Sequence, residues 1–464
     1  MTNLLEQLRD IVGVNGCVTD PDELQAYLTD WRGNYVGRTA ALIKPRSAQE
    51  VSASVKACAE VGAAIVPQGG NTSMCGGAVP DASGDQVILS LEKMNSIRSV
   101  DAENFSIEVE AGCILENAQS AAKDKGRYLP LSLGAEGTCQ VGGNIATNAG
   151  GLNVGRYGMA RALVLGLEVV LADGTIIDSM RSLRKDTAGY DLKQLFIGSE
   201  GTLGIITAAS LRLFPDPGPL STALLGIETA AAAVDLFGDM RSALDDRIES
   251  FELVSEYVFG LVTEHIPNAH LPFDKSYPWY VLIESATGDS EEGLENALGA
   301  AAERGQLLDA VIAKSGKEAA DLWRLRHSIA EAERQAGRAL KHDISVPLSS
   351  MQRFLRDGDE LLAKGWPGAQ LVAFGHIGDG NLHYNVVLPG NLSETEWHTQ
   401  GEDVSRAIYD LVQACGGSFS AEHGVGQAKR AWLERYRGGP ELDLMRKLKK
   451  ALDPANILNP GKVI

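Results

Sequence analysis

The sequence predicts an α+β protein of two or three domains in which antiparallel sheets carry much of the structure. Its 464 residues correspond to that number at roughly 150 residues per domain. Residues 165–178 predict two strands joined by Asp173-Gly174, a dipeptide that favours a tight antiparallel hairpin and argues against a purely parallel sheet. The Pro/Gly-rich segment 215–219 predicts a domain boundary, beyond which strands and helices alternate as in an antiparallel sheet covered by helices.

The individual elements follow from hydrophobic periodicity. Before the boundary, the pattern predicts a helix with an Ala/Val face over 48–62 and strands over 63–67, 87–91, 106–112 and 206–214. Beyond the boundary it predicts strands at 224–228 and 279–285, and helices from 229 and over 291–305. It then predicts one long helix over 316–337, an extended segment 340–348, a helix over 351–365, two strands within 374–388, and a final helix that ends at Asp453-Pro454.

Composition excludes several classes of function. The formal charge of −19 argues against nucleic acid or an anionic membrane surface as a partner. No apolar run of 18 residues is present, and the N-terminal segment lacks the pattern of a signal peptide. The six cysteines lie far apart without a C-x-x-C motif, which is typical of a reduced protein. We therefore expect a soluble cytoplasmic protein with no membrane span.

Three glycine-rich loops stand out, at 67–77, 141–158 and 198–207. The chain has 51 glycines, well above the usual level of roughly 7%. Consecutive glycines let backbone N–H groups converge on an anion, although any one of these loops could be an ordinary turn. Three in one domain favour a large phosphate-bearing cofactor lying along the backbone. The Rossmann, P-loop and zincin motifs are absent.

Histidines bracket a tight turn in the segment 375–386, GHIGDGNLHYNV. The Gly-Asp-Gly turn should bring His376 and His383 together, and Asn385 shares a strand face with His383. Glu422-His423 follows a strand-like segment and precedes glycines. Two histidines and a carboxylate form a known catalytic metal set, and the absence of cysteine argues against a structural site. A single histidine on a strand is more often a core or surface residue, so the pattern alone leaves both interpretations open.

The pattern alone assigns no chemical role to two further basic residues. Arg326 lies in the long predicted helix, and Lys341 begins the extended segment after it. Taken alone, both are typical of solvated helix charges. Sequence spacing does not connect either of them to the histidines.

Taken together and in this order, these motifs resemble the flavin-dependent 2-hydroxy-acid dehydrogenases of the vanillyl-alcohol-oxidase type. The resemblance is seen in the segments PQGGNTSMCGG, VGGNIATNAGG, GSEGTLGIIT, GHIGDGNLHYNV, SAEHGVG and LDPANILNPGK. It extends from about residue 38 to residue 464. It implies an FAD-binding domain over 1–217, a ferredoxin-like antiparallel cap domain over 218–420, and a C-terminal segment, 421–464, that returns to the flavin domain.

The resemblance also implies the residues that contact FAD. The first loop has Thr72-Ser73 and no histidine, so we expect the flavin to be non-covalent. The implied contacts are Pro67, Gly69, Gly70, Asn71, Thr72, Ser73, Gly137, Thr138, Gly142, Gly143, Asn144, Thr147, Asn148, Gly151, Gly201, Ile205 and Asn459.

Metal and substrate residues are implied in the same way. The metal ligands are His376, His383 and Glu422, with zinc expected first. The substrate contacts are Arg326, Lys341, Asn385 and His423, and His423 is the catalytic base, since an imidazole with an ordinary pKa near 6.5 suits this role. Relatives carry a hydroxyl residue where this chain has Ala330, a departure that bears on substrate geometry.

The implied reaction is oxidation of D-2-hydroxyglutarate to 2-oxoglutarate, with metal activation of the hydroxyl and hydride transfer to flavin N5. The pattern H-x-N of His383 and Asn385 favours this branch. D-lactate or glycolate dehydrogenase of the same family is the nearest alternative. A non-catalytic electron-transfer flavoprotein subunit, or a metal-binding transport module without flavin, belongs to other classes. An electron-transfer flavoprotein or a quinone is the expected electron acceptor, and the oligomeric state stays open, a homodimer being one option.

Overall fold

The computed structural model describes residues 2–286 and 292–464. The chain divides into two compact units. The first, here called the flavin unit, comprises residues 1–150, 157–216 and 422–464, and the second, the cap unit, comprises 151–156 and 217–421. Both units combine helices with sheets, so the predicted α+β class is confirmed. Among the described residues, no helix is both long and apolar enough to cross a membrane.

Two main sheets organise the flavin unit. One has the strand order Cys17–Val18, Ala41–Ile43, Val87–Ser90 and Ile65–Gln68, with the last two pairings parallel. The other is antiparallel, in the order Ile97–Asp101, Ser106–Glu110, Ile205–Arg212, Val164–Val170 and Ile176–Ser179. A short pair joins Arg127–Tyr128 to Phe214–Pro215. The helices are Thr2–Val12, Pro21–Leu28, Ala48–Val61, Leu115–Lys123, Val141–Ala146, Ala160–Leu163, Lys193–Phe196, Arg430–Arg437 and Pro440–Leu452.

Local sequence explains the elements on either side of the first glycine-rich loop. In the helix Ala48–Val61, the Ser47 hydroxyl accepts a hydrogen bond from the Glu50 amide, and the helix ends at Gly62, whose φ of 68° suits a left-handed C-cap. Its buried Val51 and Val55 belong to the same apolar core as the neighbouring strands. This packing fixes the strand Ile65–Gln68, which delivers the first loop.

The predicted hairpin at Asp173-Gly174 is confirmed. Strands Val164–Val170 and Ile176–Ser179 pair antiparallel. Gly174 has a φ of 77°, and the Asp173 carboxylate accepts a hydrogen bond of 2.8 Å from the Thr175 amide. A residue with a side chain rarely adopts that φ, which is why the dipeptide was informative.

Residues 457–459 run alongside the strand Ile65–Gln68. The Ile65 amide donates to the Ile457 carbonyl at 2.7 Å, and the Asn459 amide donates to the Ile65 carbonyl at 2.7 Å. Lys449 donates to the Leu458 carbonyl at 2.7 Å and is paired with the fully buried carboxylate of Asp453. Residues 457–459 are therefore hydrogen-bonded along the edge of the sheet formed by strand Ile65–Gln68.

The cap unit is built on an antiparallel sheet. Within the described residues, its strands run in the order Asp309–Ile312, Leu220–Ile227, Trp279–Ala286, Ile248–Ser255, Gln370–His376, Asn381–Val387 and Ala339–Leu340, and Asp343–Ser345 also pairs with Asn381–Val387. Its helices are Ala230–Ala243, Glu256–His265, Gly293–Glu303, Gly316–His327, Ile329–Ala336, Leu348–Gly365 and Glu394–Ala414. The short helix Val154–Tyr157 lies where the chain passes between the units.

Some predicted boundaries are wrong. The long helix over 316–337 is two helices, Gly316–His327 and Ile329–Ala336, separated at Ser328, whose ψ of −6° departs from the usual helical value although its amide still donates to the Arg324 carbonyl. Lys341 does not begin a strand but lies between Ala339–Leu340 and Asp343–Ser345. Glu291, the first residue of the helix predicted over 291–305, lies outside the described residues.

Candidate functional site

The three glycine-rich loops meet within the flavin unit. A side-chain carbon on Gly69 in the first loop would lie 3.7 Å from Gly143 Cα in the second, and one on Gly201 in the third loop would lie 3.0 Å from the Pro67 ring in the first. The third loop is joined to the second by two hydrogen bonds, from Gly198 to the Ile145 carbonyl at 3.1 Å and from Glu200 to the Ala146 carbonyl at 2.8 Å. Residues of the three loops therefore lie next to one another within the flavin unit.

Asparagines adopt an uncommon backbone conformation in two of these loops and in the segment 457–459. Asn71, Asn148 and Asn459 have φ values of 52°, 51° and 44°, in the left-handed region that non-glycine residues rarely occupy. The Oδ1 atoms of Asn71 and Asn459 and Oε1 of Gln140 are buried without a hydrogen-bond partner in the described part of the chain. Buried polar atoms normally find partners, so these acceptors fit the polar groups of a dinucleotide bound along the loops. Of the FAD contacts predicted from sequence, only Gly151 lies outside the flavin unit.

A buried carboxylate, Glu200, connects the third loop to the loop after His423. Its two oxygens accept hydrogen bonds from the amides of Val425 at 2.7 Å and Gly426 at 2.9 Å. Burial raises the pKa of Glu200, against the lowering effect of these two amides. His423 Nε2 lies 3.6 Å from Glu422 Oε1 in the same loop. Sequence reasoning selected Gly201 and missed Glu200, whose only signal was its place between glycines.

The cap unit brings His376 and His383 together. Strand Gln370–His376 leads through a turn at Ile377–Asp379 into strand Asn381–Val387. Gly380 closes the turn with a φ of 82°, and a side chain at this position would collide with the Val346 carbonyl. The two imidazole rings are 5.9 Å apart between centroids.

Glu252 holds both His376 and Arg326. This carboxylate has no exposed surface and lies opposite His376 in the adjacent strand. Its Oε1 is 2.5 Å from His376 Nδ1, and its Oε2 accepts a hydrogen bond of 2.7 Å from Arg326 Nε. Burial raises the pKa of Glu252, but the charges of His376 and Arg326 and their hydrogen bonds outweigh it and hold the pKa at about 2. The interpretation of Arg326 as a solvated helix charge is wrong, since the residue is buried and ion-paired.

Glu333 binds two other predicted site residues through its carboxylate, as Glu252 binds His376 and Arg326. Its Oε2 forms an ion pair with Lys341, and its Oε1 accepts a hydrogen bond of 3.0 Å from Asn385 Nδ2. Asn385 Oδ1 in turn accepts from the His342 amide at 3.0 Å. Glu333 is buried while Lys341 is half-buried, so the lysine is not a simple surface charge either.

Asp343 is a further carboxylate that sequence reasoning missed. It lies opposite His383 in the paired strands, and a carboxylate oxygen lies within 4.8 Å of an imidazole nitrogen of His383. Its Oδ1 accepts a hydrogen bond of 3.0 Å from Asn381, and its carbonyl accepts one of 3.2 Å from the Ala421 amide. Imidazole nitrogen and carboxylate oxygen at this strand pair are donors suited to a divalent transition metal.

Comparison with known proteins gives consistent matches. Residues 217–463 match the family "FAD linked oxidases, C-terminal domain", and residues 39–179 match "FAD binding domain". D-2-hydroxyglutarate dehydrogenase of Xanthomonas citri pv. viticola is 39% identical, over 96% of this chain and 93% of that protein. The mitochondrial D-2-hydroxyglutarate dehydrogenase of Bos taurus is 41% identical, over 96% of this chain and 81% of that protein.

Solved structures agree on the fold. p-Cresol methylhydroxylase matches with a TM-score of 0.79 at 17% identity, over 100% of this chain and 96% of that one. Alkyldihydroxyacetonephosphate synthase matches with a TM-score of 0.73 at 16% identity, over 99% and 84% of the two chains. At such identities the likeness concerns the fold alone.

Proposed function

Because this chain belongs to the FAD-linked oxidases and is an FAD-dependent D-2-hydroxy-acid dehydrogenase, we propose that it oxidises D-2-hydroxyglutarate to 2-oxoglutarate. The observation that carries the proposal is the pair of cationic side chains in the cap unit. Arg326 and Lys341 are each oriented by a buried carboxylate, Glu252 and Glu333. The ion pair of Arg326 engages Nε, and its two Nη groups are the hydrogen-bond donors that we assign to a substrate carboxylate. Two cationic anchors suit a dicarboxylate.

The donor set fits the expected metal. We propose that His376, His383 and Glu422 hold a divalent cation, with zinc first and manganese or iron as alternatives. The two histidines meet across the turn of the cap unit. Ala421, the residue before Glu422, donates its amide hydrogen bond to the Asp343 carbonyl. When bound, the cation supplies positive charge that lowers the pKa of the substrate hydroxyl.

The remaining roles in the proposed reaction are proton transfer, substrate orientation and hydride acceptance. His423 takes the hydroxyl proton, while Arg326, Lys341 and Asn385 orient the substrate carboxylates and exclude other poses. Bound FAD supplies the acceptor for the hydride that leaves the α-carbon, and the product is the 2-oxo acid. We propose an electron-transfer flavoprotein or a quinone as the electron acceptor. We propose the cytoplasm as the compartment, supported by six cysteines that are all buried and form no disulfide in the described residues; several relatives are mitochondrial proteins by name.

The flavin should be bound without a covalent bond. Thr72 and Ser73 occupy the first loop, and neither offers an imidazole for attachment. We expect the purified protein to be yellow and acid precipitation to release FAD into the supernatant. The measurement is the absorbance of supernatant and pellet. Yellow colour that stays with the pellet would contradict this expectation.

Substrate preference tests the proposed function itself. D-2-Hydroxyglutarate offers two carboxylates and D-lactate one, and a hydrogen bond to a charged group contributes about 1.5–3 kcal/mol. We therefore expect kcat/KM for the dicarboxylate to exceed that for D-lactate at least tenfold, roughly the lower end of that range. Arg326→Ala and Lys341→Ala should each narrow the preference, because losing one anchor affects the two acids unequally.

Lys317→Ala is the matched control, since this lysine is exposed on the same unit and should leave the ratio unchanged. Equal or better use of D-lactate by the wild type would favour the lactate-type alternative. Ala330, exposed near the start of the helix Ile329–Ala336, is then the first position to vary.

A further inference from the structure

We propose that Glu252 is a positioning residue that fixes the tautomer of His376 for metal binding and, through the same carboxylate, orients Arg326. The inference rests on the proposed function, because it assumes that His376 is a metal ligand. It deepens that function by assigning a role to a residue that contacts neither metal nor substrate.

The hydrogen bonds of Glu252 determine which nitrogen of His376 carries the proton. An ionised carboxylate can only accept hydrogen bonds, and Glu252 already accepts one from Arg326 Nε. The 2.5 Å bond on its other oxygen therefore requires that His376 Nδ1 be the donor. When the ring is neutral and its proton is on Nδ1, the lone pair is on Nε2, which is the nitrogen that we assign to the cation. Carboxylates behind metal-binding histidines commonly act in this way.

The fold holds Glu252 rigidly in place. The residue lies within strand Ile248–Ser255, between strands Trp279–Ala286 and Gln370–His376, and its side chain has no exposed surface. It is opposite His376 in strand register, so the bond needs no loop rearrangement. A buried carboxylate in this position costs desolvation free energy, which the two charged or polar partners offset. An apolar side chain at position 252 would be compatible with the sheet and would not incur that desolvation cost.

One carboxylate serving two partners couples the metal ligand to the substrate anchor. Arg326 is further restrained by the Phe374 ring, 5.0 Å from the guanidinium carbon. Glutamine at position 252 keeps the shape but offers one acceptor and one NH₂ donor in place of two acceptors. It cannot accept from both Arg326 and His376, so at least one of them loses its orientation.

The test measures metal binding by the FAD-loaded protein after chelation, using isothermal titration with Zn²⁺. Wild type should bind Zn²⁺, and Glu252→Gln should bind it roughly 10–100-fold more weakly, the usual effect of removing such a partner. Glu284→Gln is the matched control, because Glu284 is a strand carboxylate of the same unit that accepts from Thr222 and Trp323. Its affinity should equal that of wild type. FAD absorbance and thermal unfolding establish that each variant is folded.

A second pair of variants covers the case in which Glu252→Gln fails to fold because Arg326 is left as an unpaired buried charge. Arg326→Met keeps the bond from Glu252 to His376 and should retain wild-type Zn²⁺ affinity. The double variant E252Q/R326M removes both charges together and should show the same weakened affinity as Glu252→Gln. Wild-type affinity in the glutamine variants would overturn the inference and leave the proposed function intact. Absence of Zn²⁺ binding by wild type would overturn the metal assignment and this inference with it.

Discussion

Removal of the divalent cation with a chelator, or the change His376→Ala, is expected to lower turnover of D-2-hydroxyglutarate by roughly 100-fold or more. A cation that stabilises a developing alkoxide contributes several kcal/mol to the transition state, and that contribution is lost in both experiments. The predicted FAD contacts other than Gly151 lie in the flavin unit and His376 lies in the cap unit, so FAD should stay bound in both experiments. The measurement is kcat with and without added Zn²⁺, Mn²⁺ or Fe²⁺.

His270→Ala provides a matched control, because this histidine is exposed in the cap unit and belongs to none of the proposed ligand pairs. Its turnover should equal that of wild type. Chelated wild type should regain activity on addition of the right cation, whereas His376→Ala should not. Full activity in the metal-free enzyme would show that the reaction does not require the metal.

The change His423→Ala is expected to lower kcat for D-2-hydroxyglutarate and D-lactate by a similar factor, about 10²–10⁴, the usual contribution of a general base. The residue acts on the hydroxyl that both acids share, so the ratio of their kcat/KM values should stay as in wild type. Wild-type activity should fall towards acidic pH as the base becomes protonated, and the variant should lose that acidic limb. A pH–rate profile of both proteins checks this.

Retention of the acidic limb in His423→Ala would assign the base to another group. Zn²⁺ binding should persist in the variant, which separates loss of the base from loss of the metal. Unequal effects on the two acids would instead indicate that His423 contributes to binding the distal carboxylate.

Sequence patterns succeeded where local geometry decides the structure. The dipeptide Asp173-Gly174 specified a hairpin because few residues adopt its backbone conformation. The Gly-Asp-Gly turn similarly specified that the rings of His376 and His383 would come close, since two strands joined so tightly must be neighbours. Both signals depend on residues that are adjacent in the chain.

Patterns failed where the partner is distant in sequence. Glu252 is separated from His376 by 124 residues, and Glu200 from Val425 by 225. Glu252 lies in a strand that also carries Glu249 and Ser250, so it looks like an ordinary polar position until the pairing of the sheet is known. Arg326 was misjudged for the same reason, because the helical pattern does not reveal that one of its faces meets a buried acid.

The alignment of residues 457–459 with Ile65 has a consequence for biosynthesis. On the ribosome, the segments 1–150 and 157–216 emerge first, and residues 422–464 only after the whole of 217–421 has been made. During this time the edge beside Ile65 in the flavin unit has no pairing partner. The cap unit is formed almost entirely by one continuous segment, so it can fold as it is synthesised. Until residues 457–459 have been made, the unpaired edge beside Ile65 is therefore an aggregation hazard for the unfinished polypeptide.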